Sequence, residues 1–172
     1  MMHWFVYANE NELLDYYYGT NDTTGGKYKM INIRQVTIDD AGDVCRICCD
    51  DLGYRCDKTL VRERISQLDP DREAVFVAVD DDKVIGYIHV EKYNTLYFET
   101  MVNVLGIAVS LAFRRQGVGR ALINRAEKWA EEKEITLMRL NSGIGRRDAH
   151  KFYRKLGYGS EKEQIRFIKR LI

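Results

Sequence analysis

No apolar run in this sequence approaches the ~20 residues needed to span a bilayer, and its first residues lack a basic segment leading into an apolar stretch and a small-residue cleavage site. A membrane partner is therefore not expected, and a cytoplasmic location is. A surplus of one charge is missing as well: 27 basic against 26 acidic side chains leave a net charge of +1. Proteins that grip duplex nucleic acid usually carry a basic excess, so nucleic acid is not an expected partner. Histidine is scarce, and none lies near the four cysteines, Cys45, Cys48, Cys49 and Cys56, which share one short stretch. Zinc would need four well-placed ligands. Cys45, Cys48 and Cys49 instead fall at helical spacing beside Ala41, Val44 and Leu52, where a thiol acts as a small buried hydrophobe. No metal is expected. There is no internal repeat.

What is present suits one well-filled domain, since 45% of the 172 residues are hydrophobic. Residues 1–29 stand apart as an N-terminal extension or arm, and residues 30–172 read as the single domain. Trp4, Phe5, Tyr7 and Tyr16-Tyr17-Tyr18 make the arm aromatic without a sustained period of 2 or 3.6. Gly25-Gly26 marks a break. That aromatic content argues against simple disorder and for packing on the domain or on a second subunit.

From Met30 the pattern is regular. Ile31 and Ile33 alternate with polar neighbours as a strand. Thr37 with Asp40 forms a capping-box signal before a helical stripe of Ala41, Val44, Cys45, Cys48 and Leu52. A second helix follows Asp57, with Pro70 just beyond it. Residues 75–79 and 84–90 are β-branched runs joined by Asp80-Asp81-Asp82-Lys83, an expected hairpin. Residues 102–109 form a nearly continuous apolar strand, as expected for one buried on both faces. The next helix carries Val118, Ala121, Leu122, Ala126, Trp129 and Ala130 on one side. Residues 135–140 read as a strand, 148–156 as a short helix closed by Gly157, and 165–170 as a final alternating strand. The expected fold is α/β, or α+β: a mixed, mostly antiparallel central sheet flanked by helices, in the order β-α-α-β-β-β-α-β-α-β.

The stretch Arg114-Arg115-Gln116-Gly117-Val118-Gly119-Arg120-Ala121 carries the chemistry. A buried strand leads into a basic, glycine-containing turn that opens an amphipathic helix. Unpaired N–H groups and a positive partial charge at a helix start suit a diphosphate, and glycine lets the backbone come close. A Walker-type loop would need Lys-Ser or Lys-Thr where Arg120-Ala121 stands. The dinucleotide fingerprint would need a third glycine where Leu122 stands.

With Arg114, Gly117 and Gly119 in place, the chain resembles the GNAT superfamily of acyl-CoA N-acyltransferases, whose signature is Arg or Gln, two residues, Gly, one residue, then Gly or Ala. Residues 149–158 are similar to the family's Ala-x-x-Phe-Tyr-x-Lys-x-Gly-Phe helix. The resemblance covers about residues 30–171. It implies an N-acetyltransferase with acetyl-CoA as co-substrate. A primary amine, on a small molecule or a protein, would attack the thioester directly in a ternary complex. It further implies that Ile107 and Val109 pair through their main chain with the pantetheine arm. Gln116, Gly117, Val118, Gly119, Arg120 and Ala121 would hold the pyrophosphate, with Arg114 and Arg115 adding charge. Tyr153 would donate to the leaving sulfur. For the base, Glu99 stands before the buried strand, with Glu91 and His89 as alternatives. The family's asparagine contact to the CoA arm falls on Arg146 here, and Asn141 or Ser142 could replace it. Tyr93, Tyr97, Phe98 and Glu99 could surround the amine. A homodimer is the commonest assembly for such a protein. The competing reading is a non-catalytic module that senses acyl-CoA.

A chain beginning at Met30 should lose melting temperature or change its oligomeric state relative to the full chain. Identical values in calorimetry and size-exclusion chromatography would refute packing of the arm.

Overall fold

The computed structural model describes residues 6–8, 14–18, 29–160 and 162–171. Residues up to Leu140 form one compact unit and those from Asn141 a second. Among the described residues of the first unit, seven strands build one sheet whose spatial order is their order in sequence. They are β1 (Val6–Ala8), β2 (Leu14–Tyr18), β3 (Lys29–Gln35), β4 (Glu73–Asp80), β5 (Lys83–Tyr93), β6 (Met101–Val109) and β7 (Leu137–Leu140). Every neighbouring pair is antiparallel except β6 and β7. The unit's described residues also form the helices α1 (Ala41–Asp50), α2 (Lys58–Ser66) and α3 (Val118–Glu132). The second unit holds α4 (Arg147–Lys155).

Strands β1 and β2 fall within the aromatic arm and continue the sheet outward from β3. Trp4, Phe5 and Gly25-Gly26 lie outside the described residues.

The entry to α1 follows its capping signal. Thr37 donates from both its backbone N–H (2.7 Å) and its hydroxyl (3.0 Å) to Asp40 Oδ2, and Arg34 grips the same carboxylate bidentately at 2.7 and 2.8 Å. Burial alone would raise the Asp40 carboxyl, but the Arg34 and Thr37 bonds outweigh it and hold the group below the ordinary carboxylate value. The β4–β5 turn places Asp81 and Asp82 at φ 46° and 62°, the left-handed pair that a two-residue hairpin turn needs.

Period-2 alternation divides the sheet's residues between two faces. Val75, Val77, Tyr87 and Ala108 pack with Val44 and Ile47 of α1, and Val61 and Ile65 of α2 close over them. On the opposite face α3 buries Val118, Ala121, Leu122, Ile123, Ala126, Trp129 and Ala130. Its Arg125 guanidinium sits 4.0 Å over the Phe76 ring. Gly86 on β5 lets α3 approach: a Cβ there would lie 2.9 Å from the Ala108 carbonyl and 3.3 Å from Leu122 Cδ1.

Two expectations need correction. Residues 105–109 of β6 are not buried on both faces: Leu105 is 48% exposed, and Gly106, Ile107 and Val109 are half-buried. The expected final strand at 165–170 is not a strand. Residues 162–171 are irregular, with Ile165, Phe167 and Ile168 at 75–88% exposure. Alternation makes a segment fit to be a strand, but a strand exists only when another one supplies its hydrogen bonds.

The C-terminal end of α4 agrees with expectation. Gly157 takes φ +91° just past its end. Tyr158 N–H donates to Tyr153 O and Gly157 N–H to Arg154 O, both at 3.1 Å, which together satisfy the last carbonyls.

Because its folded-state pKa is depressed, Asp40 contributes stability that is present above its unfolded value, ~4, and lost as pH falls through the folded one. Asp40→Asn should therefore be less stable than wild type at pH 7 by about 1–3 kcal/mol, with the gap narrowing below pH ~4. Urea melts across pH measure it; a constant gap would exclude the ionic contribution.

Candidate functional site

Strand β6 has two different edges. On one side β5 pairs along its whole length, from Tyr93–Met101 to Gly86–Val109. On the other, the parallel pairing with β7 runs only from Met101–Leu137 to Val104–Leu140. Residues 105–109 thus have no paired strand on that edge among the described residues. At the point of divergence the ladder to β5 shifts, with His89 opposite Gly106 and Val90 opposite Val104. Leu105 is the extra residue of this bulge. A bulge leaves one residue outside the ladder and bends its strand, which here turns β6 away as β7 ends.

Beyond Val109 a 3-10 turn (Leu111–Phe113) leads to Arg114. Arg115 has φ 62° and Gly117 φ 86°, so the chain reverses through two left-handed residues before α3. No side chain caps that helix. The first bond into it runs from Ala121 N–H to Gly117 O at 3.0 Å. The N–H groups at the very start of the helix lie ahead of that bond. Open edge and uncapped helix start follow one another along the chain.

Arg114 holds this turn in place. Its Nε donates to Val109 O at 2.9 Å and its Nη2 to Asp51 Oδ1 at 3.0 Å, while Leu111 N–H donates to the same Asp51 oxygen at 2.9 Å. Asp51, just past α1, has a side chain only 6% exposed. Gln116 closes the turn by donating to Ala112 O at 2.8 Å. Sequence reasoning assigned charge to Arg114 and missed Asp51, which lies 63 residues away in the chain.

A polar group continues the α1–α2 face of the sheet past its apolar half. His89 Nε2 lies 2.9 Å from Glu73 Oε2. Glu91, opposite Glu73 in register, accepts from Asn103 Nδ2 at 3.1 Å and faces Arg72 Nη2 at 3.8 Å. Tyr87 reaches Cys48 Sγ at 3.2 Å with its hydroxyl, and burial pushes that hydroxyl's pKa up. The four thiols are unbridged and half-buried. Burial pushes the Cys56 thiol up to about 12, so at neutral pH it is a packed thiol and no nucleophile. Glu99 lies in an exposed loop with Tyr97 and Phe98, two residues before β6.

Residues 42–158 match the acetyltransferase (GNAT) family. The aminoalkylphosphonate N-acetyltransferase of Salmonella typhimurium is 29% identical over 145 residues, covering 83% of this chain and 92% of that protein. Among solved structures, an aminoglycoside acetyltransferase from an uncultured soil metagenomic sample, in complex with sisomicin, superposes with TM-score 0.69. It shares 19% identity, covering 83% of this chain and 97% of that one. An aminoglycoside N-acetyltransferase in complex with CoA superposes at 0.67 with 22% identity, covering 81% and 99%. These structures share the fold.

The chain belongs to the acetyltransferase (GNAT) family. It is an N-acetyltransferase, and acetyl-CoA is its co-substrate. The GNAT signature glycines Gly117 and Gly119 stand at the start of α3, and Ile107 and Val109 lie on the open edge of β6. An uncapped helix start fits a pyrophosphate, and a strand edge without a partner fits an amide-bearing arm.

Tyr153, expected as the proton donor, is half-buried in the second unit. It stacks against Phe152 at 5.3 Å and edge-on to Tyr158 at 6.0 Å between ring centroids. Burial raises its hydroxyl above the ordinary tyrosine value, with Arg146 pulling weakly the other way. His150 Nε2 donates to Gly143 O at 3.1 Å. Asn141 is exposed directly after β7 ends.

Asp51→Ala removes the acceptor of two bonds to the glycine turn. The KM for acetyl-CoA should rise several-fold and the stability fall by about 1–3 kcal/mol. Steady-state kinetics and urea melts read both; an unchanged KM would show that the turn holds its shape without the brace.

Proposed function

We propose that the protein moves an acetyl group from acetyl-CoA to a primary amine of a small molecule, by direct attack in a ternary complex. The observation that carries this reading is the half-partnered strand β6, whose open residues 105–109 lead through the turn at 110–117 into the uncapped start of α3. Ile107 and Val109 offer main-chain groups to the pantetheine arm. Gly117, Val118, Gly119, Arg120 and Ala121 hold the pyrophosphate, with Arg115 and Gln116 on the same turn and Arg114 as its brace. Asn141, directly after β7, takes over the contact to the arm that the family makes with an asparagine at the place where Arg146 stands here. With the pyrophosphate at the turn and the arm passing Val109 then Ile107, the thioester end reaches the bulge at Leu105 and Gly106.

Bond making at the bulge needs two proton movements. An amine is mostly protonated near neutral pH and must lose a proton before it attacks. The departing sulfur must gain one. Tyr153 supplies the second: its hydroxyl is protonated at neutral pH, and burial raises it further. Glu99, expected as the base, lies two residues before Met101, and Met101 to Leu105 is itself about 13 Å of strand. The groups beside the bulge are better placed for that work.

Small-molecule amines are the acceptors favoured by the likeness to the aminoalkylphosphonate N-acetyltransferase of Salmonella typhimurium. An aminoalkylphosphonate, sisomicin and a lysine peptide, offered with acetyl-CoA, should give thiol release with at least one of the first two. Acetylation confined to the peptide would replace the small-molecule reading with a protein substrate. Tyr153→Phe should lower kcat about 10²-fold with little change in KM for acetyl-CoA; full turnover would remove the acid assignment.

A further inference from the structure

The pair His89 and Glu73 has a geometry that decides its own proton arrangement. His89 Nε2 is 2.9 Å from Glu73 Oε2. An ionised carboxylate only accepts, so Nε2 carries the hydrogen and the lone pair of the neutral ring belongs to Nδ1. His89 projects from β5 at the one point where β6 bulges, opposite Gly106. Its side chain is 30% exposed and that of Glu73 25%, so neither is sealed in the core. Cross-strand register puts Glu73 two residues along from Val75, the partner of His89, and on the same face. The contact is therefore a diagonal one across β4 and β5 on the α1–α2 face.

Glu91 is the other carboxylate here, and it is differently occupied. Asn103 donates to its Oε1 and Arg72 faces its Oε2. It also sits opposite Asn103, on the Met101 side of the bulge, two residues from His89. Two residues of strand are about 7 Å. Asn103 must turn its amide nitrogen to that carboxylate, which settles its orientation. Arg139 lies 4.5 Å over the Tyr93 ring nearby.

We infer that His89 is the proton acceptor for the amine and Glu73 the residue that positions it and fixes its tautomer. This rests on the function proposed above. His89 Nδ1 takes one proton from the acceptor ammonium and passes it to solvent. The freed nitrogen lone pair forms the N–C bond, and the C–S bond breaks with its electron pair going to sulfur. Tyr153 gives the sulfur its proton and recovers one from the nitrogen's second N–H by way of solvent. Ammonium and acetyl-CoA thus become amide, CoA thiol and one proton. Glu73 faces the imidazolium that forms, as a carboxylate behind a histidine does in other dyads.

Two readouts test this on the full-length protein, with the amine turned over fastest in the panel above. Nitrogen-15 NMR of the wild type should show neutral His89 in the Nε2–H tautomer; an Nδ1–H tautomer would overturn the assignment. In kinetics, His89→Gln should lower kcat by about 10²-fold or more, while KM for acetyl-CoA stays within about twofold. Glu73→Gln should lower kcat by a smaller factor, and Glu73→Asp should recover part of it. Wild-type kcat in both His89→Gln and Glu73→Gln would refute the inference. If the wild-type protein turns over no amine while still binding acetyl-CoA, the proposed function fails, and the NMR tautomer alone then decides the dyad.

Discussion

Strand β6 is paired along all of one edge and along less than half of the other, and the site is built on that asymmetry. Four residues of β7 pair with Met101 to Val104 and then the chain leaves. Backbone N–H and C=O groups left at a strand edge must find partners in water or in something strand-like. In the function proposed above, an amide-bearing arm laid along residues 105–109 would meet that demand as an added strand does, on a surface that is largely main chain. The edge opens at the bulge at Leu105.

The same strand delivers the chain to the glycine turn, so a second constraint follows from the first. An uncapped helix start helps an anionic ligand only if it is held at a fixed position relative to the edge. The bonds from Arg114 to Val109 O and Asp51 accomplish this, since they tie the strand end, the turn and the end of α1 to one another. Behind the strand α3 is anchored by seven buried side chains and by its close approach to β5 at Gly86. A buried apolar stripe thus fixes the axis of the helix whose first turn is left polar and open.

On the α1–α2 face the sheet changes character along its length. Val75, Val77, Tyr87 and Ala108 are covered by the two helices. Further along the same strands stand Glu73, His89, Glu91 and Asn103, joined in two hydrogen-bonded pairs. Half-buried charged groups persist when each has a partner, and these do. The pairing also separates them by function: one carboxylate is engaged by an amide and an arginine, the other by a histidine.

Much of this was readable from neighbours along the chain. The capping box at Thr37 and Asp40, the aspartate turn before β5, the buried stripe of α3 and the glycine that ends α4 all depend on residues within a few positions of one another. Local spacing carries that information, and the signature glycines gave the family by the same means. Other features depend on which strands meet. The apolar run of β6 reads as fully buried, yet half of it is open, because burial is set by where β7 stops. Residues 165–170 alternate like a strand and have no partner in the described structure. Glu73, Asp51 and Asn103 carry no local signal; each matters through a residue 12 to 63 positions away. The sequence by itself determined the helices, the hairpin and the glycine turn, since those are short-range physics. Only the tertiary structure decided which edge stays open and which carboxylate meets His89, since strand register is settled by long-range pairing.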